Sequence, residues 1–168
     1  MCIRDSKATE KALLFAHCQT IVLDADNSAM TQAIAPCCAN KALWSRRGNP
    51  DAELQITGTT VQSRCTVLSF VYRGEQYTAT VPAINTHHVE NAINCLTAML
   101  SLGIPPRDAT SRLACLTPVR TRINVIDGMN GCMIVSDSYP SDYNSLAGAL
   151  DFMAVSYTHL TLPTICSV

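Results

Sequence analysis

Charge of either sign and long apolar runs are both scarce in this sequence of 168 residues. Only 15% of the residues are charged and the formal net charge is −1. A general nucleic-acid binder should be clearly basic, so we expect no nucleic-acid partner. No apolar run approaches the roughly 20 residues of a membrane span, and we expect no membrane insertion. Because no signal-peptide pattern opens the chain, a cytoplasmic protein is expected.

Three short motifs are also missing. None of the nine cysteines forms a C-x-x-C pair, so a zinc site is not supported, and reduced, buried cysteines are expected instead. No predicted strand is followed by G-x-G-x-x-G, which argues against a doubly wound dehydrogenase domain. The phosphate-binding run G-x-x-G-K-T does not occur in this chain either.

Strand patterns run through the first half of the chain. Almost half of the residues are apolar, which allows a packed core in one domain or in parts of two. Residues 20–26, TIVLDAD, form an apolar run closed by acids, which is typical of a parallel sheet. Residues 52–58 alternate, and residues 64–82 predict two strands joined at Gly74. Together these patterns indicate an antiparallel meander attached to an α/β core.

The clearest helical pattern is VENAINCLTAMLSLGI, residues 89–104. Its apolar residues recur at three- and four-residue spacing, and Gly103 can end the helix. Pro106 suits the first position of a following helix. The other predicted elements are helices at 8–17 and 28–36, strands at 121–127 and 132–136, and a last helix from about Ser141.

Both ends of the sequence differ in character from the rest. Residues 1–6, MCIRDS, and residues 155–168, VSYTHLTLPTICSV, resemble translated sequencing-library adapter. We therefore expect both segments to be artefacts and exclude them from the fold, as one would an expression scar. Residues 7–154 are then expected to be an internal piece of a longer gene product.

A dense polar run, SDSYPSDYNSL, begins at the end of the last predicted strand. It holds more hydrogen-bonding groups than a turn needs. A turn with a helix N-cap explains Ser141 and Asp142, but it accounts less well for Asp137 and Tyr139. Half of a binding site is the alternative interpretation.

Taken in order, four stretches resemble the ATP-dependent Mur ligases of peptidoglycan synthesis. They are EKALLFAHCQTIVLDADN, ALWSRRGNPDAEL, HHVENAINCLTAMLSLGI and PVRTRINVIDGMNGCMIVSDSYPSDYNSLAGALDFM. Within the family, they are most similar to the UDP-N-acetylmuramoyl-tripeptide:D-alanyl-D-alanine ligases, in the subgroup fused to alanine racemase. The resemblance implies an α/β fold. Residues 7–116 would be the C-terminal part of the central ATP-binding domain, and residues 117–154 the beginning of the Rossmann-like C-terminal domain.

The resemblance gives Lys11 a catalytic and a metal-binding role. Lys11 precedes Phe15 as in the family pattern K-x-x-x-[FY], whose lysine is commonly carbamylated. A carbamate offers the anionic oxygens that Mg²⁺ prefers. The alternative is a solvated helix lysine. Asp24 stands where the family usually has Asn, and it receives no role.

Two further residues match positions that contact the nucleotide in the family. One lies in the central domain and the other at the start of the C-terminal domain. Asn91 matches the second Asn of H-N-x-x-N, which contacts adenine, whereas His88 replaces the first Asn. An amide suits an adenine edge because it both donates and accepts; the alternative is an Asn that serves the first turn of the helix. Arg122 matches the arginine that reaches the ATP phosphates, with Arg120 as a competitor. A surface arginine at a strand edge is the alternative.

The polar run supplies the remaining matches. Asp137 corresponds to the acid that hydrogen-bonds the ribose, and Tyr139 to the residue packed beside the nucleotide. Asp142 falls at the third polar position, whereas Pro140 departs from the usual Asn or Ser.

The implied reaction uses ATP and Mg²⁺ to join UDP-MurNAc-tripeptide to D-Ala-D-Ala through an acyl phosphate. Pyridoxal phosphate would belong only to a fused racemase domain outside this chain. Because G-x-x-G-K-T is absent, we expect the isolated chain to be inactive. A non-catalytic nucleotide-binding or interaction module is the alternative function.

Overall fold

The computed structural model describes residues 10, 12–15, 17–37, 39–62, 64–117, 124–136 and 150. The chain divides into two compact units, Met1–Leu116 and Thr117–Val168. The two terminal segments that resemble adapter lie outside the described residues. No helix in the described part of the chain is long and apolar enough to cross a membrane.

The first unit opens with a short helical turn, one strand and one helix, continues with four consecutive strands and ends in two helices. Its strands are β1 (Thr20–Asp24), β2 (Asn40–Ser45), β3 (Leu54–Val61), β4 (Thr66–Tyr72) and β5 (Glu75–Val81). Its helices are a short 3₁₀ turn (Leu13–Phe15), α1 (Ser28–Ala33), α2 (Thr86–Ser101) and α3 (Pro106–Ala114).

The five strands form one mixed sheet in the order β1-β2-β3-β4-β5. The first three are parallel, and β3, β4 and β5 are antiparallel. A mixed α/β sheet with an antiparallel meander is the architecture that the sequence predicts, so the fold class is confirmed. β2 was not among the predicted strands, although it joins the parallel part of the sheet to β3.

The turn between β4 and β5 shows why Gly74 marks the predicted hairpin. Tyr72 pairs with Glu75, so only Arg73 and Gly74 lie in the loop. Both have positive φ, 51° and 83°. A two-residue hairpin loop of type I′ needs left-handed backbone at both positions, and glycine adopts it without steric cost.

The main core lies where α2 and α3 cover the sheet. Phe70 of β4 and Leu54 of β3 are each 1% exposed, and Ile93 and Leu96 of α2 are fully buried. Leu113 of α3 completes this layer at 1% exposure. The apolar spacing of the α2 sequence thus produces the buried helix face that the pattern predicts.

A smaller cluster lies around β1. Ile21, Leu23 and Ile34 are buried there, with Phe15 packed against them. Leu13 and Leu14 lie in the predicted helix at 8–17, but both are exposed, and Leu13–Phe15 is a 3₁₀ turn, whereas Glu10 and Ala12 are α-helical. Helix α1 ends at Ala33 rather than at residue 36, because Pro36 restricts the backbone before it and cannot donate a helical hydrogen bond.

The second unit contributes a two-stranded antiparallel ladder. Its strands are β6 (Asn124–Asp127) and β7 (Met133–Ser136), and Ile126 pairs with Ile134. A 3₁₀ turn (Met129–Gly131) joins them. The predicted last helix, from about Ser141, lies outside the described residues apart from Leu150.

The cysteines of the described residues are free but not buried. Cys18, Cys95, Cys115 and Cys132 are exposed, and Cys37 and Cys65 are partly exposed. The expectation of buried cysteines was therefore wrong for these six. Cys95 illustrates the reason. It lies in the apolar helix α2, but its side chain projects from the face opposite the buried Ile93 and Leu96.

Candidate functional site

The carboxyl ends of β1 and β2 lie side by side. The two strands are parallel, and Asp24 pairs with Trp44 at the last step of the ladder. The loops that follow both strands therefore leave the sheet at one edge. In open α/β sheets, this edge is where ligands bind, because loops and helix starts converge there.

Asp26 links these two loops. Its carboxylate accepts hydrogen bonds from the Ser45 hydroxyl at 2.8 Å, from the Arg46 N–H at 2.8 Å and from the Arg47 N–H at 3.1 Å. Although partial burial opposes ionisation, these donors hold the pKa of Asp26 below its usual value. A charged Asp26 thus fixes the start of the β2–β3 loop.

Ser45 is the centre of the same network. It is fully buried. Besides donating to Asp26, its hydroxyl oxygen accepts from the N–H groups of Arg47 and Asn49, each at 3.0 Å. Asn49 in turn donates to the Ala25 carbonyl at 3.3 Å. The loop after β2 is therefore held by side-chain hydrogen bonds rather than by regular secondary structure.

The pKa of Asp24 is shifted in the opposite direction to that of Asp26. Burial raises the pKa of its carboxyl above the usual value, and the nearby carboxylates of Asp26 and Glu90 add to the rise. A hydrogen bond of 2.9 Å from the Asp26 N–H opposes this shift without cancelling it. The site therefore holds one carboxylate that favours ionisation and one that resists it.

Helix α2 is joined to the end of β2 by two contacts. The Trp44 indole N–H donates to the Asn94 side-chain oxygen at 2.7 Å. The Arg46 guanidinium is 3.3 Å from Glu90 Oε1, and its Cζ lies 5.6 Å from the centroid of the Trp44 ring. The amino-terminal half of α2 is thereby fixed against the edge where β1 and β2 end.

Asn91 is the predicted site residue that the structure describes, and it lies in this half of α2. It is exposed and has no side-chain hydrogen-bond partner among the described residues. The first turn of the helix is instead capped by Asn85, which accepts from the His87 N–H at 2.8 Å. The alternative role for Asn91, hydrogen bonding in the first turn of the helix, is therefore performed by Asn85.

The other predicted site residues lie outside the described residues: Lys11, Arg122, Asp137 and Tyr139. Their roles stay predictions. No cluster of three or more metal-ligating side chains occurs within the described ranges.

The residues that build the edge of the sheet carry no role in the sequence-based predictions. Asp26 and Ser45 received no role, and neither did Trp44, Arg46 or Glu90. One signal was present in the sequence: an apolar strand closed by two acids, with a second polar run, SRRGN, about 20 residues later. Recognising β2 would have placed the two runs together.

Comparison with known proteins adds relatives from one enzyme group. No protein-family model matches the chain. A UDP-N-acetylmuramate–L-alanine ligase from Streptomyces avermitilis is 27% identical over 135 residues, which is 80% of this chain and 29% of that protein. A UDP-N-acetylmuramoyl-tripeptide–D-alanyl-D-alanine ligase from Bacillus subtilis is 30% identical over 81 residues, 48% of this chain and 18% of that protein. The chain is similar in sequence to Mur ligases over as much as 80% of its length.

Solved structures show the same fold in Mur ligases and in one further enzyme. A D-alanyl-D-alanyl ligase (MurF) from Acinetobacter baumannii matches with a TM-score of 0.74 at 15% identity, over 89% of this chain and 33% of that one. MurF from Thermotoga maritima, in complex with ADP, gives 0.65 at 18% identity, over 86% and 33%. Folylpolyglutamate synthetase from Lactobacillus casei gives 0.66 at 13% identity, over 92% and 40%. The chain spans about a third of the length of these proteins, and the shared part is the α/β region with the mixed sheet.

Proposed function

We propose that this chain is part of an ATP-dependent ligase that joins D-Ala-D-Ala to UDP-MurNAc-tripeptide in peptidoglycan synthesis. The resemblance to a D-alanyl-D-alanine ligase, 30% identical over 81 residues, carries the proposal. The position of Asn91 supports it. This residue of the H-N-x-x-N resemblance is an unpaired, exposed amide on the helix that flanks the carboxyl edge of β1 and β2.

The proposed reaction has two steps. The tripeptide carboxylate attacks the γ-phosphorus of ATP, and ADP leaves. The amine of D-Ala-D-Ala then attacks the acyl phosphate, inorganic phosphate leaves, and an amide bond forms. Mg²⁺, when bound, neutralises charge on the transferred phosphoryl group.

The roles of this chain in that reaction are mainly binding and orientation. Asn91 would read the adenine edge through its amide. Arg122 would contact the phosphates, Asp137 the ribose, and Tyr139 the side of the nucleotide. Lys11, as a carbamate, would hold the metal ion.

A second ligase reaction is favoured by one observation. The relative that covers 80% of the chain is named for adding L-alanine to UDP-N-acetylmuramate, whereas the D-Ala-D-Ala-adding relative covers 48%. Its substrates would be UDP-MurNAc and L-Ala in place of the tripeptide and dipeptide. The nucleotide site would be unchanged, because both ligases share the phosphoryl-transfer step.

A direct test of the nucleotide part of this proposal is equilibrium dialysis of the purified chain against ATP and against GTP. We expect ATP to bind more tightly, since the Asn91 amide matches the adenine edge. Asn91→Ala should reduce that preference about tenfold, the effect of one good edge contact. Ser101→Ala, at the far end of the same helix, serves as the control. Equal affinities for ATP and GTP, unchanged by Asn91→Ala, would contradict the assignment.

A further inference from the structure

Arg46 occupies an unusual position at the carboxyl edge of the sheet. Its backbone N–H is held by Asp26 at 2.8 Å. Its guanidinium lies over the ring of Trp44, with 5.6 Å between Cζ and the ring centroid, and its NH1 is 3.3 Å from Glu90 Oε1. Both the backbone and the side chain of Arg46 are thus restrained.

Trp44 cannot serve as a stacking surface for a ligand itself. It is 2% exposed, and its indole N–H is taken by Asn94 at 2.7 Å. Arg46 covers this aromatic ring, and 32% of its own side chain remains exposed. The flat group that this part of the protein presents to solvent is therefore a guanidinium fixed on an indole.

A restrained guanidinium is a good partner for a nucleobase. It is planar and weakly hydrated, and it stacks on aromatic faces. Bases are bound in proteins on arginine planes as well as on aromatic rings. Because Trp44 and Glu90 already restrict the side chain, stacking loses less conformational entropy than it would with a free arginine.

Asn91 lies next to Glu90, the residue that holds Arg46 in place. The exposed amide and the exposed guanidinium are therefore attached to the same small region, one on α2 and one on the end of β2. An amide that reads a base edge and a plane that stacks on the base face are complementary contacts.

We propose that Arg46 is a base-stacking residue of the nucleotide site, packing against the face of adenine while Asn91 contacts its edge. This inference rests on the proposed function, because it takes the ligand to be an adenine nucleotide. The contact with the base depends on the plane of the guanidinium and not on its charge alone.

The experiment uses Trp44 as a reporter, since it is the single tryptophan of the chain and lies directly beneath Arg46. Fluorescence excited at 295 nm is titrated with adenosine, ADP and inorganic pyrophosphate, and equilibrium dialysis of the same ligands supplies a second measurement. The variants are Arg46→Ala, Arg46→Lys and Asn91→Ala. Arg47→Ala is the matched control, because it removes an equal charge from the adjacent exposed residue. It keeps the hydrogen bond from the backbone N–H of residue 47 to the Asp26 carboxylate.

We expect Arg46→Ala to weaken adenosine and ADP binding about five- to tenfold. Arg46→Lys should weaken them nearly as much, since an ammonium group has no plane. Pyrophosphate binding should change little, and Arg47→Ala should leave adenosine binding unchanged. Thermal unfolding followed by circular dichroism should show that every variant remains folded.

Three results would overturn the inference alone: full adenosine affinity in Arg46→Ala, full affinity in Arg46→Lys, or an equal loss in Arg47→Ala. If Asn91→Ala also kept full adenosine affinity, the first two results would contradict the nucleotide site of the proposed function as well. Failure of the unaltered chain to bind either adenosine or ADP would instead contradict the nucleotide site of the proposed function, and the stacking role with it.

Discussion

The carboxylate of Asp26 accepts a 2.8 Å hydrogen bond from the hydroxyl of Ser45, which lies 19 residues later at the end of the neighbouring strand. This single contact joins the loops after β1 and β2. Because Ser45 is fully buried and Asp26 also holds two N–H groups of the next loop, the contact fixes the edge of the sheet from which Arg46 extends.

The first prediction concerns Ser45. Ser45→Ala removes the donor to Asp26 and the acceptor for two backbone N–H groups, so it should lower the free energy of unfolding by about 1–3 kcal/mol. Chemical denaturation measures this loss. Ser111→Ala is the control, because that exposed hydroxyl bonds only to a carbonyl three residues away, and it should stay within about 0.5 kcal/mol of the unaltered chain. Equal effects of the two substitutions would show that the network contributes nothing.

The second prediction concerns Asp24. Burial and neighbouring carboxylates disfavour its charged form, whereas Asn keeps the oxygen that accepts from the Asp26 N–H. Asp24→Asn should therefore raise the free energy of unfolding at pH 7, by about 0.5 kcal/mol. A melting temperature below that of the unaltered chain at pH 7 would contradict this account.

The advantage of Asp24→Asn should depend on pH. A carboxyl whose pKa is raised by folding contributes stability when it is protonated, and that contribution is lost as the pH rises through the folded pKa. The variant should therefore gain most near neutral pH and gain nothing well below pH 3.8, the ordinary Asp value. Melting curves from pH 3 to pH 7 measure the difference, and a constant difference would exclude titration as the cause.

The third prediction concerns Asp26, for which the expected change in the free energy of unfolding has the opposite sign to that of Asp24. Its pKa is lowered by folding, so its contribution is fully present above the ordinary value of 3.8 and is lost as the pH falls through the folded pKa. Asp26→Asn should be destabilised relative to the unaltered chain at pH 7, and the difference should shrink towards acid pH. A difference that grows on acidification would contradict the assigned charge state.

The fourth prediction compares two leucines at different depths of the α2 region. Leu96 is fully buried beneath the sheet, whereas Leu102, at the end of the helix, is 80% exposed. Leu96→Ala should cost about 2–5 kcal/mol of unfolding free energy through lost burial and a cavity. Leu102→Ala should remain within about 0.5 kcal/mol. Similar losses at both positions would contradict the described packing.

Local patterns predicted much of the first unit because the responsible forces are local. The hairpin at Gly74 follows from a turn that needs positive φ, and α2 follows from apolar spacing and the glycine at its end. Strand β2 is not predicted by these patterns, because burial rises along it from the exposed Asn40 and Lys41 to the buried Trp44 and Ser45. Its sequence therefore shows no alternation of buried and exposed residues.

The edge of the sheet could not be predicted from the sequence in the same way. Asp26 and Ser45 become partners only after β1 and β2 pair in parallel, a contact that no local period encodes. Asn91 was found through its resemblance to a family motif, and the structure adds that it is exposed and that Asn85 serves as the cap. Arg46 is recognisable only from its contacts with Trp44 and Glu90.

The measurement that most directly tests the account is a product assay on the protein whose gene encodes this sequence. The enzyme is given ATP and Mg²⁺ with either UDP-MurNAc-tripeptide and D-Ala-D-Ala or UDP-MurNAc and L-Ala, and mass spectrometry identifies the product. We predict the amide product of the first pair with one phosphate released per bond. The product of the second pair would support the alternative ligase, and ATP binding without either product would contradict the ligase function.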